Sequence, residues 1–304
     1  MLRFPSPPQM TFMASLHIYH VMESPSRPVR IWLIICMACV VTMVFIGGVT
    51  RLTESGLSIV EWKLVTGILP PMSEAGWQAE LEEYRASPEY QKINRGMSVA
   101  EFKQIYWLEW LHRLLGRITG LVFVLPLIFF SVRSQLSRSL QKHMLAACAL
   151  VALQGTVGWL MVYSGLQDDP RVSPLRLALH LSLAFSLFCY LLWLVLRAYE
   201  VPRYAVSRGL GWLARLTTCV IALQIILGAF VAGMDAGLIY NSWPLMDGRF
   251  TPPVLFQLEP WYRNFVEYVP MVQWQHRTFA YGVAACGVWL VLRSWHSPSK
   301  GAVQ

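Results

Sequence analysis

Three stretches of this chain, residues 31–50, 144–163 and 216–234, contain no charged side chain, and a fourth, 177–196, contains none but a single histidine, His180. Each is about as long as the roughly 20 apolar residues a helix needs to cross a bilayer. Two further segments, about 107–132 and 270–292, are apolar beyond a polar cluster at their start. A surface helix of a soluble protein shows a polar face, and these stretches show none. The fold class they imply is all-α, a polytopic membrane helix bundle with six transmembrane helices. Of the 304 residues only 14% are charged, against about 25% in soluble chains.

The net charge of +8 invites a nucleic-acid reading, but its distribution argues against one. With the N-terminus inside, the inner segments carry Arg27, Arg30, Arg133, Arg138, Lys142, Arg197, Arg203, Arg208, Arg215 and Arg293 against Glu23 and Glu200, while the outer loops hold more acidic than basic residues. This is the asymmetry that orients membrane proteins. It implies a lipid bilayer as partner, no nucleic acid, and a multi-pass protein of a bacterial inner membrane with cytoplasmic termini. The tail, 1–30, lacks a cleavable-signal pattern, and Met10, Met13 and Met22 are alternative starts. All six cysteines fall in apolar segments, so no disulfide framework is expected, and the Cys36–Cys39 spacing reads as packing.

The longest outer loop, 51–106, reads as two short helices, near 74–84 and 98–106. Ser98 followed by Glu101 is a capping-box start for the second. Such a loop is expected to lie over the outer mouth of the bundle.

The chain also resembles itself. At an offset of 181 positions, Gly47 falls on Gly228, Glu54 on Asp235, Trp62 on Trp243, Leu64 on Leu245 and Pro71 on Pro252. After a shorter loop, Glu109-Trp110-Leu111-His112-Arg113 corresponds to Gln273-Trp274-Gln275-His276-Arg277. Sites are commonly built inside such membrane repeats. The expected organisation is a first four-helix unit (31–198), an inner linker (199–215) and a second unit (216–304, outer loop 235–269). By the logic of the repeat, that second unit lacks its last two helices and a histidine near position 344.

Of the seven histidines, His17, His20, His143 and His296 read as solvated or interfacial. His112, His180 and His276 are embedded in apolar helices, where an ionisable group is costly and marks a site. At 1.5 Å rise per residue, His112 and His180 each lie roughly 7–9 Å below the outer boundary. Two imidazoles at one depth in a four-helix unit can ligate one haem iron from opposite faces. A zinc or copper site would need further ligands nearby. Arg113, Arg117 and Arg277 either snorkel to the interface or pair with haem propionates. Glu109, one turn before His112, serves as a dipole-compensating cap or does acid–base work; its counterpart Gln273 carries no charge. Gln154 and Gln224, each four residues before a glycine, read as interhelical hydrogen-bonders.

The stretches 47–71, 83–117, 153–166 and 228–253, together with Gln273–Arg277, resemble the haem A synthase family of the type shared by α-proteobacteria and mitochondria. The likeness runs through nearly all of residues 30–295. It implies an eight-helix protein of two four-helix halves, the first receiving haem O and the second holding haem b. The implied reaction oxidises a methyl group of haem O to the formyl group of haem A by successive hydroxylations, for cytochrome c oxidase assembly. Carried onto this chain, His112 and His180 look like the substrate-haem ligands, Glu109 like the catalytic carboxylate and His276 like one ligand of the haem b cofactor. Implied partners are haem O and haem A, a haem O synthase, an electron acceptor or donor not identified by the sequence, and a second copy of the chain in a homo-oligomer. The alternatives are a non-catalytic haem-binding or assembly protein and a b-type membrane cytochrome.

Overall fold

The computed structural model describes residues 24–63, 66–167, 170–295 and 300–303. His17, His20, His296, the three alternative starts and Leu64 of the repeat lie outside the described residues. The elements are helices α1 (Arg27–Leu52), α2 (Glu74–Arg85), α3 (Pro88–Lys92), α4 (Val99–Val132), α5 (Arg138–Gly165), α6 (Pro174–Ala198), α7 (Arg208–Gly233), α8 (Asn264–Glu267) and α9 (Val269–Trp295), with short 3-10 turns. Among the described residues, extended strand is confined to one antiparallel pair, β1 (Arg203–Ala205) with β2 (Lys300–Val303).

Serine starts most of these helices. Ser73, Ser87, Ser98, Ser137 and Ser207 each accept a backbone N–H of the first turn of α2, α3, α4, α5 and α7. Such a bond satisfies one of the donors left open at a helix N-terminus. The capping box is complete, with the Glu101 side chain accepting from the Ser98 N–H at 2.8 Å. Ser207 starts α7 at Arg208, on the inner side of the apolar run that begins at 216.

Five helices, α1, α4, α5, α6 and α7, are long and apolar enough to cross a membrane. The sixth expected span does form as a continuous helix, α9, but it is not among those five. Its opening turns carry Gln273, Gln275, His276 and Arg277 and its last turn carries Arg293, which lowers the apolarity of any long window. In the five spans no more than 28% of the apolar window is buried inside the chain. Phe45, Leu121, Leu125, Ile128 and Leu145 face outward. Apolar surface of that extent belongs against lipid rather than water.

Helices α1, α4, α5 and α6 close into a ring, each touching the next; α7 packs on α6, and α9 on α7. The inner half of the ring is filled by Trp32, Leu33 and Cys36 of α1, Phe123, Leu127 and Phe130 of α4, Met144 of α5, and Leu191 and Leu194 of α6. This cluster stops outward at Val40, Phe123, Ala147 and Leu187. At the same ends of the helices, Arg51 of α1 reaches the Ala232 carbonyl in the last turn of α7 and the Asp235 carboxylate just after it (3.0 Å).

Helix α4 is 34 residues long, about 50 Å at 1.5 Å per residue, well beyond the ~30 Å hydrocarbon core. Its excess projects outward into the long loop. Phe102 and Tyr106 of its first turns pack with Trp77, Leu81 and Tyr84 of α2 and with Ile59. The expected lid is therefore a small aromatic core built on the end of α4. Tyr84 stacks on Phe102 with centroids 5.2 Å apart, and Trp77 meets Tyr106 edge-on at 5.0 Å.

Inside α4, Pro126 has no N–H for the carbonyl four residues earlier, that of Val122. The Trp32 indole N–H of α1 donates to the Val122 oxygen at 2.8 Å. In lipid no water could take that role. Trp32→Phe is expected to cost about 1–3 kcal/mol, the penalty of an orphaned buried acceptor. Pro126→Ala restores the missing N–H, so in that background the same substitution should cost less. A double-mutant cycle by thermal unfolding in detergent measures the coupling; strict additivity would contradict it.

Candidate functional site

His112 on α4, His180 on α6 and His276 on α9 are each half-buried, and each ring lies against a glycine of the neighbouring helix. A Cβ on Gly47 of α1 would stand 3.3 Å from His112 Nε2. On Gly158 of α5 it would stand 3.0 Å from His180 Cε1, and on Gly228 of α7, 3.1 Å from His276 Cε1. Any side chain at these positions would push on the imidazole, so the missing Cβ is what lets the ring lie close to the facing helix. His112 and His180 both belong to the ring of α1, α4, α5 and α6, on the loop 51–98 side of the filled core. His276 belongs to the separate α7–α9 pair. Among the described residues no group of three or more His, Cys, Asp or Glu side chains gathers as a metal site.

Glu109 is 2% exposed, and both carboxylate oxygens are saturated. One accepts the Ser58 hydroxyl at 2.7 Å and the Ile59 N–H at 2.8 Å. The other accepts Arg113 Nε at 3.0 Å and Nη2 at 2.6 Å. Four donors, two of them from a guanidinium, hold the group as an ion; charge-assisted bonds of this kind are about twice as strong as neutral ones. Arg113 also donates to the carbonyls of Ile59 (2.7 Å) and Glu61 (3.0 Å) and lies over the Trp62 ring at 5.1 Å. Its donors are spent on Glu109 and the loop, not turned outward toward a ligand. Arg117 donates to the Lys63 carbonyl at 2.9 Å. It lines a cavity of about 50 Å³ under the lid with Lys63, Glu80, Tyr106 and Arg113.

The same clasp occurs beside His276. Arg277 donates to the carbonyls of Tyr240 (3.4 Å) and Ser242 (2.5 Å), which lie 181 positions after Ile59 and Glu61. Gln273 donates to the Tyr240 carbonyl at 2.9 Å, where Glu109 accepts the Ile59 N–H. A carboxylate can only accept and an amide can donate, so the loop backbone presents opposite groups to the two side chains. The fixed negative charge is confined to the first of the two sites.

Reading the sequence alone missed three features: the hydroxyl of Ser58 on Glu109, the glycine opposite each imidazole, and a buried carboxyl in the lid. The offset of 181 could have paired Gly47 with Gly228 as ring seats, because each precedes its histidine-bearing helix. Nothing local marked Glu89. It is 4% exposed and accepts the Tyr84 hydroxyl at 2.9 Å, which in turn accepts from Asn94 at 2.7 Å. Burial pushes the Glu89 carboxyl up to about 7, with repulsion from Glu109 and Glu54 adding to the effect and the Tyr84 bond opposing it.

Comparison with known proteins identifies the family. The family COX15-CtaA, cytochrome oxidase assembly protein, matches residues 30–304. The Heme A synthase of Parvibaculum lavamentivorans is 51% identical over 258 residues, covering 85% of this chain and 75% of the relative. That of Nitrosospira multiformis is 45% identical over 282 residues, 91% of this chain and 79% of the relative. That of Methylobacterium sp. is 48% identical over 289 residues, 93% and 80%. No solved structure matches the chain.

Two outcomes follow from the clasp and the lid. Arg113→Ala strands the Glu109 charge and should destabilise the outer loop by about 3–5 kcal/mol, the usual cost of breaking a buried pair; unchanged protease resistance of 51–98 would contradict it. Glu89 stays protonated in the folded lid at pH values where an exposed carboxyl, near 4.5, is ionised. The folded lid then binds more protons than the unfolded one, so this contribution is full below about 4.5 and is lost as pH rises through about 7. Glu89→Gln should flatten that dependence in pH-resolved hydrogen exchange of α2 and α3.

Proposed function

The chain belongs to the COX15-CtaA family of cytochrome oxidase assembly proteins, and on that premise we propose that it is a haem A synthase, a multi-pass membrane oxidoreductase that converts a methyl group of haem O into the formyl group of haem A. The observation that carries the reading is the placement of Glu109. A saturated, ionised carboxylate sits one helical turn from His112, in the ring that also holds His180.

In this reading His112 and His180 hold the iron of the substrate haem, for which axial histidines are usual ligands. The glycine seats and the end of the apolar core below the histidines suit a flat macrocycle entering between the helices. Glu109 is the catalytic carboxylate. Its donors fix its position in a dry site beside the reacting methyl carbon, and release of one donor, the Ser58 hydroxyl or an Arg113 N–H, frees a lone pair to take up the proton set loose in the oxidation. Arg113 acts through Glu109, holding it and the lid together, while Arg117 and Arg277 are the propionate partners.

His276, on its glycine seat beside Gln224, would hold the iron of a second haem, haem b. When bound, that group supplies the route by which electrons leave the substrate site. Helix α9 is then the sixth span, and α7 with α9 repeats α1 with α4. The matched clasp of Arg113 and Arg277 on carbonyls 181 positions apart supports the duplication. The substitution of Gln273 for Glu109 fits a second site that holds its haem without chemistry. The charge asymmetry supports an inner membrane with the N-terminus on the cytoplasmic side. A passive haem carrier or a b-type cytochrome is not favoured, since each relative named above is a Heme A synthase.

Pyridine-haemochrome analysis of the purified protein supplied with haem O and an electron acceptor tests the proposal. Haem A should appear with time, and haem O that stays bound but unconverted would sink the enzymatic reading. Glu109→Gln, which copies Gln273, should retain haem and slow conversion by about 10²–10⁴-fold. His112→Ala and His180→Ala should lose the substrate haem and spare the second one.

A further inference from the structure

Two of the three imidazoles face the same second side chain. Gln154 of α5 lies one helical turn before Gly158, and Gln224 of α7 one turn before Gly228, so glutamine and glycine share a helix face. Gln154 Nε2 donates to the backbone carbonyl of His180 at 3.0 Å, and Gln224 Nε2 to that of His276 at 3.1 Å. In the second pair the amide also lies beside the imidazole ring. Gln224 Nε2 lies 3.0 Å from His276 Nδ1.

Each grip leaves something unfinished. The amide oxygens of Gln154 and Gln224 are buried without a partner, and so is His180 Nδ1. An unpaired acceptor and an unpaired ring nitrogen thus share one helix contact, in a setting where no water can serve either. Iron ligation resolves this. An imidazole that binds iron through Nε2 carries its proton on Nδ1, and such a proton is almost always given to an acceptor that fixes ring orientation and raises ligand basicity.

Resting on the haem-binding reading above, we propose that Gln154 and Gln224 are positioning residues for the iron-binding His180 and His276: on iron binding each amide turns over, giving up its Nε2 bond to the histidine carbonyl so that its oxygen accepts the Nδ1–H and the imidazole Nε2 is left for iron. His112 is built differently. It has the glycine seat, Gly47, but one turn before that glycine stands Met43, 181 positions ahead of Gln224. A thioether is only a weak acceptor. The substrate haem therefore has one ligand polarised by an amide and one without it, and His112 is the ligand that yields when haem O enters and haem A leaves.

The test uses the full chain in detergent with its haem bound. Gln154 and Gln224 are replaced in turn by Glu and by Leu, and each haem is followed by potentiometric titration and by the low-spin electron paramagnetic resonance signal. A carboxylate strengthens the pull on Nδ1–H and should lower the reduction potential; leucine removes it and should raise the potential. Gln224 variants should move the second haem alone, and Gln154 variants the substrate haem alone. A merely structural glutamine would make Glu and Leu act alike, so a shift in the same direction, or equal loss of haem, overturns the proposal. Unmoved potentials in variants that keep low-spin haem overturn it as well. Wild-type protein with no histidine-ligated haem overturns the functional reading itself, a result distinct from the others.

Discussion

Lipid offers no hydrogen bonds, and the polar groups sunk into this bundle are arranged around that constraint. The Val122 carbonyl, orphaned by Pro126, is met by the Trp32 indole from α1. The Glu109 carboxylate is met by four donors from its own helix and from the outer loop. In water any of these groups could be left to solvent at small cost. Here each requires a particular partner on a particular neighbour, and the partners thereby fix how the helices sit against one another. The loop 51–98 is held over the bundle in the same way, since the guanidinium that neutralises Glu109 also grips the carbonyls of Ile59 and Glu61.

The two clasps show how one backbone arrangement serves two chemistries. Arg113 and Arg277 hold equivalent carbonyls at the same offset, and Trp62 and Trp243 follow in register. The side chains differ: the Glu109 oxygen stands against the Gln273 nitrogen, and Ser58, which donates to Glu109, has Ile239 in its place. The loop answers with an N–H at Ile59 in the first site and with a carbonyl at Tyr240 in the second. A carboxylate placed in the second site would meet a carbonyl, acceptor against acceptor. The confinement of the carboxylate to the first site is therefore matched by the loop backbone as well as by the glutamate.

Much of this architecture was legible from residues alone. Uncharged runs gave the five spans because about 20 apolar residues have few other uses. The Ser98–Glu101 pair marked a helix start, since capping is a local interaction between residues three apart, but the short helix expected over 98–106 is the opening of α4, continuous with the span. Helix α9 was legible as a helix, but its polar opening set it apart from the five spans that stand on length and apolarity.

What the sequence could not say was which face of each helix turns inward. In a soluble bundle the apolar stripe marks the buried side; against lipid the outer face is as apolar as the core, and periodicity falls silent. Only the packed helices put Gly47, Gly158 and Gly228 opposite the three imidazoles and turned Arg113 from a candidate ligand-binder into the counter-ion of Glu109. The sequence by itself determined where the long apolar helices lie and which of them carry a histidine, because each depends on neighbours along the chain. Tertiary structure decided which side chains meet across helix interfaces, because those contacts are set by interhelical packing between residues far apart in the chain.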